Sequence, residues 1–193
     1  MIEHFEIYTD VLVLGSGPAG FAAAYSAAKN GAKVILVEQS GDVGGISTSG
    51  LMSHWTGSCG SPLYYEILKR TAENNEGNFK GKITNLIDPE KLKTLYLEML
   101  CEVHCKVMLY TFAADAICDG DKILGATVIN KSGKTDIFAK KGLKKQTRCA
   151  IINTDDARMH LERVVMLWQF GSAFLDMEIL AAAWNAPLPR TRI

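Results

Sequence analysis

The stretch Asp10–Glu38 constrains the fold of this chain more than any other. Asp10-Val-Leu-Val-Leu14 is an apolar run that reads as a fully buried parallel strand. It leads into Gly15-Ser16-Gly17-Pro18-Ala19-Gly20, a G-x-G-x-x-G turn, and then into the alanine-rich segment Phe21–Lys29, which predicts a helix. Gly31-Ala32 turns the chain, and Lys33–Val37 predicts a second buried strand ending at Glu38. Strand, helix and strand form one βαβ unit of roughly 30 residues, the setting in which such a turn binds a dinucleotide.

Each residue of the turn has a mechanical reason. Gly15 permits the tight strand-to-helix turn, Gly17 lets a pyrophosphate approach the backbone, and Gly20 lets the helix pack close to the strand. Pro18 suits the first helical position, where its missing N–H is not needed. The amides around Ala19 and Gly20 then face the phosphates, aided by the helix dipole. Glu38, at the end of the second strand, is placed to accept hydrogen bonds from an adenosine ribose and to disfavour a 2′-phosphate. A glycine-rich turn in an ordinary α/β domain is the plainer alternative. The complete strand–helix–strand–carboxylate spacing favours dinucleotide binding over it.

The next segment, residues 39–60, reads as a long loop dense in Gly, Ser and Thr. Backbone amides and hydroxyls at Gly44, Gly45, Ser47 and Thr48 are candidates for phosphate or ribityl oxygens. His54 and Trp55 are weaker candidates for proton transfer and ring stacking. Ser61-Pro62 opens a predicted helix through about Glu76, with Leu63, Ile67 and Leu68 on one face. Asp88 is the expected N-cap of another helix, whose apolar positions are Leu92, Leu95, Tyr96, Met99, Leu100 and Val103. Cys101, His104 and Cys105 have helical ligand spacing but no fourth ligand nearby, so core thiols and a helix-end histidine explain them better than a metal does. Lys106–Tyr110 predicts a third parallel strand. Phe112–Cys118, Ile123–Asn130 and Thr135–Ala139 predict a meander, joined by Asp-Gly and Ser-Gly turns.

The segments Asp10–Gly20, Gly31–Glu38 and Gly41–Leu51 resemble the N-terminal part of FAD-dependent oxidoreductases, in particular bacterial ones loosely related to fumarate reductase flavoproteins. The resemblance runs over about residues 8 to 140, and the Gly44-Gly45 pair shifts the expected cofactor from NAD to FAD. It implies an α/β fold: a Rossmann-like FAD-binding domain with a parallel sheet and a three-stranded β-meander crossover; the residues beyond it read, on their own pattern, as a helical C-terminal tail. It implies that the second glycine loop lies along the pyrophosphate and ribityl chain. It also adds Gln39, beside Glu38, and backbone near Ala113, against the adenine, to the cofactor site.

After Lys140 the resemblance fails. Family members continue to an Ala-Thr-Gly-Asp strand end. Here the nearest echo, Ile151–Asp156, has Asp155 where the glycine belongs and is read as accidental. The expected division is therefore an FAD-binding domain over residues 1–140 and an atypical, partly helical tail over 141–193. Leu161–Trp184 is helix-prone but carries carboxylates inside the run, which makes it a poor membrane span.

Composition bounds the rest. At 193 residues the chain can build one good core and is short for two. Zero net charge gives no reason to expect a nucleic-acid partner. Five cysteines without Cys-x-x-Cys favour free thiols in the cytoplasm. Met1–Tyr8 has neither signal-peptide nor anchor character.

Two readings follow. One is an FAD-dependent oxidoreductase, or its FAD-binding portion, moving a hydride between a small organic substrate and the flavin. Its complement would be a partner chain or a missing C-terminal domain. The other is a dinucleotide-binding module or fragment without redox turnover. An NAD-binding domain is a weaker third reading. No catalytic residue is assigned from the sequence.

Overall fold

The computed structural model describes residues 4–56, 60–76, 80–120 and 122–141. The tail from 142 onward lies outside them, as do the Thr154–Asp156 echo and the Leu161–Trp184 segment. Six strands form one sheet in the order β3-β2-β1-β6-β5-β4. They are β1 (His4–Leu14), β2 (Val34–Val37), β3 (Lys106–Met108), β4 (Phe112–Asp119), β5 (Lys122–Asn130) and β6 (Gly133–Lys141). The first four in that spatial order run parallel, and β6, β5 and β4 form the antiparallel meander. Three helices accompany them: α1 (Pro18–Lys29), α2 (Pro62–Asn74) and α3 (Pro89–Glu102).

The alternation of the central strands sends side chains to two cores. Val11, Val13, Val34 and Leu36 face the helices, among Phe21, Ile67, Tyr96 and Leu100. Leu12, Ile35 and Val37 point the other way and pack with Ala126, Val128 and Ile137 of the meander. Both faces of β2 are therefore buried, which accounts for its unbroken apolar run. On the helix side, Phe21 stacks on Tyr96 at 3.8 Å between ring centroids. Glu66 of α2 pairs with Lys29 of α1 and with Arg70, whose guanidinium grips both carboxylate oxygens of Glu102 on α3.

Several local expectations hold. Pro18 opens α1 with Gly17 as N-cap, and Asp88 caps α3 by accepting from the N–H groups of Glu90 and Lys91. The five apolar positions Leu92 to Leu100 are buried.

Three points differ. The first strand begins at His4 rather than Asp10, because its first half pairs with β6 from His4↔Lys134 to Thr9↔Ala139. A Tyr8–Phe138 ring stack and a His4–Asp136 contact support that pairing, and the meander thereby joins the main sheet. The third strand stops at Met108, because Tyr110 takes a left-handed backbone (φ 50°) and its N–H turns to the Ser40 carbonyl. Trp55 is a core residue, 5% exposed and beside Tyr64, so its ring is not available to stack on a ligand.

Candidate cofactor site

The C-terminal ends of β1, β2 and β3 meet at one edge, and the glycine-rich turns lie there. Gly15 adopts φ 92°, which a side chain would resist, and its N–H donates to the Val37 carbonyl at 2.7 Å. Gly20 is a packing requirement: a Cβ there would run into the Gly15 carbonyl. Gly17 is different. Its backbone is ordinary (φ −56°), and a Cβ would meet no atom of the described residues within 4 Å. Gly17 also provides no side-chain cap for α1, and Pro18 has no N–H, so the first-turn amides of Ala19 and Gly20 receive no acceptor from the N-cap side chain.

The second glycine loop docks on the first. Gly44 donates its N–H to the Ser16 carbonyl at 2.8 Å, and a Cβ on Gly45 would stand 3.0 Å from the Gly17 Cα. Both Gly44 (φ 112°) and Gly45 (φ 54°) take backbone conformations suited to glycine. Ser47 is buried in the short turn that follows, with its N–H on the Gly44 carbonyl.

Thr48 departs from expectation. It is fully buried, its hydroxyl donates to the Val43 carbonyl at 2.7 Å, and its N–H donates to Gly45. Both donors are committed inside the protein, so Thr48 shapes the loop and offers no surface to a cofactor.

Glu38 is buried and bound on both carboxylate oxygens. Oε2 accepts from the Ser16 N–H (2.7 Å) and hydroxyl (2.8 Å), and Oε1 accepts from the Ser40 N–H and hydroxyl (both 2.8 Å). Burial alone would raise its pKa, but the donors of Ser40 and Ser16 outweigh that and hold it below the ordinary value of 4.5. The sign of the stability effect follows. A depressed carboxylate pKa contributes stability that is present above the unfolded value and lost as pH falls through the folded one. Glu66, also held low against the effect of burial by hydrogen bonds from Lys29, Tyr25 and Arg70, acts in the same direction. Thermal unfolding between pH 7 and pH 3 should therefore show a midpoint that falls on acidification below about 4.5. Glu38→Gln should flatten that fall, and an unchanged slope in this variant would contradict the role given to Glu38.

Gln39 is exposed beside Glu38, and Ala113 is exposed at the start of β4. Tyr110, in the turn after β3, is 67% exposed, with its ring over Gly41, where a Cβ would collide with it. Ser16, Ser40 and Tyr110 carry no signal in the G-x-G-x-x-G pattern. Ser16 occupies a variable position of that motif, and Ser40 and Tyr110 come near Glu38 only through the turns after β2 and β3.

His54 is exposed in an isolated antiparallel bridge with Leu86. Cys105 is buried, its thiol pushed up to about 12 by burial, while Cys101 and His104 are exposed. Among the described residues no cluster of His, Cys, Asp or Glu could hold a metal ion. No helix of these residues is long and apolar enough to cross a membrane.

Comparison with known proteins identifies the family. Digeranylgeranylglycerophospholipid reductase of Picrophilus torridus is 28% identical over 151 residues, covering 70% of this chain and 38% of that protein. The chain thus spans well under half the length of that relative. A fumarate reductase (cytochrome) of Shewanella frigidimarina is 36% identical over 92 residues, covering 45% of this chain and 15% of that protein. The solved open conformation of a flavocytochrome c3 fumarate reductase shares the fold, with a TM-score of 0.51 at 20% identity over 71% of this chain and 33% of its own. The sequence profile of the FAD dependent oxidoreductases matches residues 10–141, which takes in both glycine loops, Glu38 and the meander, and the chain belongs to that family.

Proposed function

We propose that this chain binds FAD across the ends of β1, β2 and β3, as the FAD-binding portion of an oxidoreductase that moves a hydride between a small organic substrate and the flavin. The observation that carries the reading is Gly17. Neither its backbone angles nor its packing calls for a glycine, and the space where a side chain would stand is open at the uncapped start of α1. A bound pyrophosphate supplies the missing reason.

The other residues take their roles from that anchor. The N–H groups of Ala19 and Gly20 face the phosphates, and Gly15 and Pro18 hold the turn that aims them. Glu38 takes the ribose on the neighbouring strand. Continued along the sheet order, the base lies over the end of β3, beside Gln39, Tyr110 and Ala113. Gly45 runs along the pyrophosphate and ribityl side, and Gly44 and Ser47, buried with their N–H groups donated to Ser16 and Gly44, hold that loop in place. When bound, FAD supplies the two-electron chemistry, and the protein holds and orients it. The free thiols of Cys101, Cys105 and Cys118 suit a cytoplasmic setting. Binding without turnover is the second reading: the residues named above hold and orient a cofactor, and none of them is given a catalytic role.

Purified protein incubated with FAD and desalted should retain the visible absorbance of flavin, and an excess of NAD should not displace it. A colourless protein would overturn the reading. Reduction of the bound flavin by organic donors would separate the oxidoreductase from the bare binding module.

A further inference from the structure

Glu38 reaches the ribose in the reading above, and the present inference rests on that reading. Yet the carboxylate is already saturated. An ionised carboxylate has about four acceptor positions, and Ser16 and Ser40 fill them with two N–H and two O–H donors. A ribose hydroxyl can donate to Glu38 only if one of these donors leaves. The two N–H groups are fixed by the backbone, so a serine hydroxyl must yield.

The two hydroxyls are not equivalent. Ser16 is fully buried, and the only other acceptor its hydroxyl has among those described, the Asp42 carbonyl, lies at 3.4 Å. Ser40 is half-buried, and its hydroxyl stands 2.8 Å from Glu38 Oε1 and 3.0 Å from the Asp42 carbonyl. It has one proton and two acceptors within hydrogen-bond reach. With no ribose present, the charged oxygen is the stronger acceptor.

We infer that Ser40 is a placeholder for the ribose: its hydroxyl satisfies Glu38 Oε1 in the empty site and turns to the Asp42 carbonyl when the ribose arrives. The exchange keeps a buried carboxylate satisfied in both states, which prevents the cost of leaving it short of donors. It also sets the adenosine affinity, because the ribose must compete with an internal donor. Substrate-independent control of cofactor affinity thus resides in a residue outside the glycine motif.

The test is isothermal titration with ADP, with a dideoxyribose analogue of ADP and with inorganic pyrophosphate, on wild type, Ser40→Ala and Ser40→Gly. Removing the competing hydroxyl should tighten ADP by about 3–10-fold, leave pyrophosphate unchanged and give no gain with the dideoxyribose analogue. The thermal midpoint of the empty protein should fall slightly in the same variants, since Glu38 loses a donor. A merely structural Ser40 would instead weaken ADP and pyrophosphate together. Unchanged or weaker ADP binding in the variants, with wild type binding normally, would overturn the placeholder role. Absence of ADP binding in all three proteins would overturn the dinucleotide reading itself, and the placeholder with it.

Discussion

Replacing Gly17 by valine is expected to abolish FAD binding while leaving the fold intact. The two halves of that expectation have separate causes. Valine fits the Gly17 backbone, whose φ is −56°, and its Cβ would enter open space. The stability change should therefore stay within about 1 kcal/mol, the range of surface substitutions and cap effects. The branched side chain would nevertheless occupy the place through which a pyrophosphate approaches the backbone. Gly20→Ala serves as the opposite control. Its methyl would meet the Gly15 carbonyl, an immovable backbone group, so α1 must shift away from β1. Overpacking of this kind costs about 1–3 kcal/mol, and the midpoint should drop by about 2–4 °C per kcal/mol for a chain of this size. Thermal melts and FAD titration of both variants check the pair. Full FAD occupancy in Gly17→Val would remove the basis for placing the pyrophosphate there.

Glu38→Ala should weaken both the cofactor complex and the empty protein. In the complex it removes charge-assisted hydrogen bonds to the ribose, worth about 1.5–3 kcal/mol, or roughly a 10- to 150-fold loss of affinity. In the empty protein it strands the donors of Ser16, which is fully buried. An unsatisfied buried donor costs about 1–3 kcal/mol, and the Ser40 donors are closer to water. A total of about 2–4 kcal/mol is expected, read as a lowered denaturation midpoint at pH 7. An unchanged dissociation constant by fluorescence titration would count against the ribose role. An unchanged melt would count against the structural one.

Much of the fold and part of the site are legible in the chain because their causes are local. The β1–α1–β2 unit follows from apolar runs, helix-forming alanines and glycines at fixed spacing, all within a few turns of one another. Asp88 announces its cap by standing just before Pro89, and the hairpin turns announce themselves by Gly and Ser. The distinction between Gly17 and Gly20 is sharper in space than in sequence. Both are glycines of one motif, but a Cβ on Gly17 would stand in open space and one on Gly20 would run into a carbonyl of the protein.

By itself, then, the sequence determined the βαβ unit, the glycine turns, the carboxylate at the end of β2, the meander and the family they belong to, because each is encoded by residues adjacent along the chain. Only the tertiary structure decided the contacts between distant segments. The strand character of His4–Thr9 depends on β6, more than a hundred positions away. Trp55 is drawn into the core beside Tyr64, and Thr48 spends its hydroxyl on Val43, because buried polar and aromatic groups settle on whatever partner the fold brings near. The capture of Glu38 by Ser16, 22 positions away, is of the same kind, whereas Ser40 lies two positions on and reaches Glu38 through the turn after β2. Serine is common and short, and it joins the candidate site only when two turns set it within hydrogen-bond reach of one buried charge.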